Sequence, residues 1–158
     1  MSATGTPPMD RLDRKILNLM QRDAARTNAD LADAVGLSPS SCLRRVRRLR
    51  GSGVIERVVA ILNPAKAGRV LKAIVTVELQ RHGEQQQARF LALATKEEAV
   101  AQAYAVTSQT DVVLILRLRD MEEFDALCER LFRDDTNVAR FFTMVVIRTA
   151  KEETAIRL

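Results

Sequence analysis

The chain has 158 residues, of which 47% are hydrophobic and 28% charged, a soluble globular composition for one or two small domains that excludes a disordered tail or a fibre. Its longest apolar runs reach five residues, far short of the roughly 18 that cross a bilayer. The net charge of +5 is confined to the first part: residues 1–62 carry eleven Lys/Arg against six Asp/Glu, and residues 63–158 carry fourteen of each. A cationic N-terminal part beside a neutral remainder points to a polyanionic partner, with nucleic acid the first candidate.

Residues 1–8 are small, polar and proline-containing, with no apolar h-region. They predict a flexible leader, not a signal peptide, and hence a cytoplasmic location. Asp10, with Asp13 three residues on, predicts an N-cap and first-turn acid for a first helix that carries Leu12, Ile16, Leu19 and Met20 up to Gln21. After a polar break, Asn28 is expected to cap a two-turn helix with Leu31, Ala32 and Val35 inward, closed by Gly36. Ser38 as N-cap and Pro39 at the first helical position open a third helix, with Cys42, Leu43, Val46 and Leu49 on its inner face, that stops near Gly51 and Gly53. This is helix-turn-helix spacing, and the third helix is the one expected in the major groove of double-stranded DNA.

Residues near the N-terminus of such a helix reach base edges. Ser38, Ser40, Ser41 and Arg44 are therefore the expected readers beside Pro39, and Arg44 suits a bidentate contact to guanine. Arg45, Arg47, Arg48 and Arg50 are placed for phosphates. An isolated arginine run is more often a solvated helix face, but the glycine turn and the Ser-Pro cap favour the binding helix. Cys42 is assigned to packing.

Residues 53–55 and 58–62 predict a β-segment leaving the helices, as a wing or a linker strand. The boundary falls in residues 63–68, which separates a helix-turn-helix domain (9–62) from a second domain (69–158). There the alternation over residues 70–79 predicts a strand, residues 84–95 an amphipathic helix, and residues 99–107 and 111–118 two strands joined by a short turn. Residues 121–132 predict a helix and residues 140–149 a last strand. The order βαββαβ is the ferredoxin-like arrangement, so the fold class is α+β, with an N-terminal (winged) helix-turn-helix domain and a C-terminal ferredoxin-like domain.

No catalytic constellation emerges, and the chain does not read as an enzyme. Gly51 and Gly53 follow a helix and precede a strand, the reverse of a dinucleotide-binding turn. The one histidine, His82, lies in a polar turn and reads as a solvated loop residue. With two cysteines, Cys42 and Cys128, the chain lacks the ligands for a Cys/His metal site or a disulfide framework. The adjacent pairs Glu97-Glu98, Glu122-Glu123, Asp134-Asp135 and Glu152-Glu153 lie at element ends and do not converge on one site. No metal or cofactor is expected.

The strings Leu12-Asp13-Arg14-Lys15-Ile16-Leu17, residues 31–46 (LADAVGLSPSSCLRRV) and Gly53-Val54-Ile55 resemble the Lrp/AsnC family of bacterial and archaeal transcription regulators. The resemblance implies a DNA-binding helix-turn-helix and a ligand-sensing domain that dimerises through its sheet and often forms octamers, with amino acids as effectors. It also implies an effector site between dimers, with Ser108, Gln109, Thr110 and Asp111 from one protomer and Met121, Met144, Val145 and Val146 as further lining. These last three equally suit ordinary strand and interface positions. The sequence departs from the family pattern at Ala25-Arg26, where Arg-Ile is common, at Ser108 in place of a loop glycine, and at Val112 in place of an aromatic. The alternative from another class is a small-molecule-binding module whose basic segment docks an acidic protein.

Overall fold

The computed structural model describes residues 8–133 and 136–158. The predicted leader, except for its last residue, and the pair Asp134-Asp135 lie outside the described residues. The chain divides into two compact units. One contains the described residues up to Ala60 together with Lys151–Leu158, and the other spans Ile61–Ala150.

The first unit is three helices: α1 (Arg11–Arg22), α2 (Asn28–Val35) and α3 (Pro39–Gly51). Asp10 is the N-cap and Asp13 the first-turn acid of α1, as predicted, and the two form a reciprocal capping box. At α2 the cap is Thr27, not Asn28: Thr27 accepts from the Asp30 N–H, and the Asp30 carboxylate returns to the Thr27 N–H. Asn28 instead lies inside the first turn, and its Nδ2 donates to the Pro39 carbonyl at 2.8 Å, which ties the start of α2 to the start of α3. Gly36 ends α2 in the left-handed region at φ 72°, a conformation that a Cβ disfavours. Ser38 caps α3 with Pro39 at its first position, as expected.

Ile16, Leu17, Leu31, Ala32, Val35, Cys42, Val46 and Leu49 form one buried core. Leu43 was expected on the inner face of α3 and is exposed instead, one residue beyond the stripe that Cys42, Val46 and Leu49 already fill. The expected wing or linker strand does not form. Val54 and Ile55 pack on the helical core, and residues 58–62 carry no strand, with Val58, Val59, Ile61 and Leu62 all exposed. Their β-branched character suits a pleated, half-buried surface, and no strand among the described residues pairs with them.

The second unit has the expected βαββαβ order: β1 (Leu71–Leu79), α4 (Glu84–Ala94), β2 (Val100–Ala105), β3 (Val112–Leu118), α5 (Met121–Leu131) and β4 (Val138–Val145). The sheet order is β2-β3-β1-β4, with every pair antiparallel. β4 begins two residues before the predicted start and ends four residues short of the predicted end. Alternation puts Ala73, Val75, Val77 and Leu79 of β1 and Val112, Leu114, Leu116 and Leu118 of β3 on one face. There they share a buried core with Phe90 and Ala94 of α4 and Leu127 and Leu131 of α5. On the sheet face that α4 and α5 do not cover, Tyr104, Phe142 and Met144 are exposed. Lys151–Leu158 were expected to continue this domain, yet they group with the helical unit.

Candidate functional site

Along α3, Ser38, Pro39, Ser40, Arg44, Arg47, Arg48 and Arg50 are exposed, and Ser41 and Arg45 are partly buried. The first-turn hydroxyls are already linked: Ser38 Oγ accepts from the Ser41 N–H at 3.3 Å, and its hydroxyl lies 3.0 Å from Ser41 Oγ and 3.2 Å from Ser40 Oγ. Ser38 therefore holds the helix start, with Ser40 and Ser41 beside it.

The arginines divide into two groups. Arg44, Arg47 and Arg50 have no ion-pair partner among the described residues. Arg45 Nη1 binds Asp10 Oδ2 at 2.6 Å and Asp13 Oδ1 at 2.9 Å, and Arg48 Nη2 binds Asp13 Oδ2 at 2.5 Å. The hydrogen bonds to Asp10 and Asp13 push the Arg45 pKa up, and the Asp13 N–H and Arg45 hold Asp10 below the usual carboxylate range. A buried carboxylate on α1 thus pairs with both Arg45 and Arg48, two of the arginines expected on phosphates, and leaves Arg45 partly buried and Arg48 exposed. Local periodicity carries no signal of that carboxylate, 32 and 35 positions away in sequence.

In the second unit, Ser108, Gln109, Thr110 and Asp111 form the turn between β2 and β3. Ser108 is exposed, and its Oγ accepts from the Thr110 N–H at 3.0 Å. Asp111 is buried. Its Oδ2 accepts from the Leu79 N–H at 2.8 Å, and His82 Nδ1 lies 3.0 Å from Oδ2 and 3.2 Å from Oδ1. Burial raises the Asp111 pKa, but the Leu79 N–H and His82 outweigh it, and the net direction is down. His82 is solvated, as predicted, and it also faces Asp111, a partner that sequence reading missed. Asn137 holds the His82 turn: its side chain accepts from the Arg81 N–H at 3.0 Å and donates to the Arg81 carbonyl at 2.9 Å.

The other proposed lining residues lie elsewhere. Met121, Met144 and Val145 are exposed and Val146 is half-buried. Met144 pairs with Ile74 and Val145 with Ala73, whereas Val112, next to Asp111, pairs with Val77. Within one protomer the loop and residues 144–146 thus occupy opposite ends of the sheet, separated by roughly 10 to 17 Å along the strands. A separate cleft of about 440 Å³ between the C-terminal ends of α4 and α5, lined by Leu93, Lys96, Arg130 and Arg133 among others, contains none of them.

Among the described residues no group of His, Cys, Asp and Glu is arranged to hold a metal ion, and no helix is long and apolar enough to cross a membrane. Residues 9–50 match the AsnC-type helix-turn-helix domain, and residues 72–156 match the Lrp/AsnC ligand binding domain. The chain is 38% identical to an HTH-type transcriptional regulator of Sinorhizobium fredii, over 94% of this chain and 88% of that protein. It is 34% identical to the leucine-responsive regulatory protein of Salmonella typhimurium, over 91% of this chain and 88% of that one. Among solved structures, it resembles a transcriptional regulator of Neisseria meningitidis in complex with L-Met, with a TM-score of 0.88 and 29% identity over 94% of this chain and 96% of the other.

Proposed function

Because this chain belongs to the Lrp/AsnC family of transcriptional regulators, we propose that α3 enters the major groove of duplex DNA with Ser40, Ser41 and Arg44 at base edges and Arg47 and Arg50 on phosphates. The observation that carries this reading is the exposed set Arg44, Arg47 and Arg50, without an ion-pair partner among the described residues, on a helix whose opposite face is locked into the core. Guanidinium groups without an internal partner are available for phosphate and guanine contacts. A cytoplasmic location follows from the DNA partner.

One helix-turn-helix offers a small footprint, so selective binding calls for two recognition helices about one DNA turn apart on a two-fold assembly. The uncovered sheet face with Tyr104, Phe142 and Met144 supports a second copy as the partner that completes this assembly. The same assembly accommodates the effector reading. Ser108–Asp111 and Met144–Val146 lie at opposite ends of one sheet, so a pocket made from both takes them from different protomers. The likeness to a regulator solved with L-Met supports an amino acid as the class of effector. The test is selection from a random duplex pool by the full chain, followed by sedimentation of the free protein and of the complex. A selected consensus bound by a symmetric oligomer is the expected result. Retention of no duplex, with binding to acidic protein instead, overturns it.

A further inference from the structure

Two of the five arginines clustered on α3 are tied by one carboxylate, which leaves Arg45 partly buried and Arg48 paired but still exposed. The Asp13 side chain is 1% exposed. Its Oδ1 accepts from Arg45 at 2.9 Å, and its Oδ2 accepts from Arg48 at 2.5 Å and from the Asp10 N–H at 3.1 Å. Asp10 adds a second contact to Arg45 at 2.6 Å. Arg45 and Arg48 are three residues apart on one face of α3, so gripping both with the two oxygens of one carboxylate fixes the rotation of α3 about its axis and its height against α1.

A DNA phosphate competing for either guanidinium would have to take it from a carboxylate that is already desolvated. The charge left behind would be buried without its partner, the costly case for an internal ion pair. A neutral, fully packed residue at position 13 would fill the same space without this constraint, so what the carboxylate adds is directional: it selects which arginines are held by an internal partner.

We propose that Asp13 is a positioning residue for DNA recognition: it withdraws Arg45 and Arg48 from the phosphate-contacting set and fixes α3 in the rotation that presents Arg44, Arg47 and Arg50 to DNA. This rests on the reading of α3 as the DNA-contacting helix.

The experiment is binding of the full chain to a mixed-sequence duplex and to a duplex that the wild-type protein selects from a random pool, each over a range of KCl concentrations. Arg47→Gln and Arg50→Gln lower the slope of log K against log salt by about 0.9 for each phosphate no longer neutralised. Arg45→Gln and Arg48→Gln leave that slope at the wild-type value and reduce the preference for the selected duplex. Asp13→Asn removes, among the described residues, the only charged partner of Arg48 and one of the two that hold Arg45, so its slope on the mixed-sequence duplex steepens while its preference for the selected duplex falls about tenfold, the scale of one misplaced base contact. A role in stability alone does not steepen a salt slope. If circular dichroism shows Asp13→Asn unfolded, the two arginine variants decide. A slope for Arg45→Gln or Arg48→Gln reduced as far as that of Arg47→Gln overturns the proposal and leaves the DNA reading intact. Retention of neither duplex by the wild-type protein overturns both.

Discussion

Gln21 and Ile156, 135 positions apart in sequence, exchange two hydrogen bonds: Gln21 Nε2 donates to the Ile156 carbonyl at 3.0 Å, and the Ile156 N–H donates to Gln21 Oε1 at 2.6 Å. A side-chain amide offers a donor and an acceptor in the geometry of a peptide group, so Gln21 pairs with the C-terminal segment as a neighbouring strand would. The segment Lys151–Leu158 is thereby part of the helical unit and not a loose extension of the sheet domain.

Gln21→Ala removes both bonds. Each hydrogen bond contributes about 0.5 to 1.5 kcal/mol net, and these lie at the surface, so the expected loss is about 1 kcal/mol, or a few degrees in the melting of the helical unit. Removal of residues 151–158 should cost as much or more. A melting temperature unchanged in both variants would show that the tail does not hold to α1 in solution.

Arg44 is exposed in the second turn of α3 and free of any ion pair among the described residues. Arg44→Ala is expected to relax the preference at one base pair per half-site by roughly 1 to 3 kcal/mol, with binding to mixed sequence reduced far less. Competition between selected and point-altered duplexes measures it. Uniform weakening on all duplexes would move Arg44 to the phosphate set.

Glu123 supplies a pH-dependent prediction for the second unit. The Arg119 N–H at 2.7 Å, together with the side chains of Arg69 and Arg119, outweighs burial and lowers its pKa from 4.5 to about 2. A carboxylate depressed in the folded state stabilises it above the unfolded pKa, and that stability is lost as pH falls through the folded one. The melting temperature of Glu123→Gln should therefore lie below that of the wild-type protein at pH 7, and the gap should narrow from pH 4.5 down to about 2. A gap constant with pH would show that the loss comes from packing or hydrogen bonding and not from charge.

What the sequence made legible was local. The capping box at Asp10 and Asp13, the Ser38-Pro39 start of α3, the left-handed stop at Gly36 and the βαββαβ order all follow from signals within a few residues of each other. What escaped depends on distant partners. Asp13 reads as an ordinary first-turn acid until α3 packs beside it, and His82 reads as free until the β2–β3 turn brings Asp111 within 3.0 Å. Residues 58–62 show the opposite failure: their side chains favour a strand, but a strand requires a neighbour for its backbone groups, and none pairs with them among the described residues.

The last prediction concerns the loop at Ser108 and Asp111. Asp111 remains ionised at neutral pH, because the Leu79 N–H and His82 counter the effect of burial. A carboxylate in that state complements the ammonium group of an amino acid, and only one of its oxygens accepts the Leu79 N–H. Ser108 places a Cβ and a hydroxyl where the resemblance implies a loop glycine, and Val112 supplies less apolar surface than the aromatic it implies there. Both changes point either to a small or polar amino acid or to no effector at all. Screening the twenty amino acids by thermal shift against the native protein, Ser108→Gly and Asp111→Asn separates the roles. Asparagine keeps an oxygen for the Leu79 N–H and removes the charge, so the fold survives the substitution better than with alanine, which would leave a buried donor unpaired at a cost of about 1 to 3 kcal/mol. The expected outcome is a stabilising small or polar amino acid whose effect Asp111→Asn abolishes and Ser108→Gly broadens to larger side chains. A stabilising amino acid whose effect persists in Asp111→Asn would place the effector site away from this loop and leave Asp111 as the anchor that joins the β2–β3 turn to the end of β1.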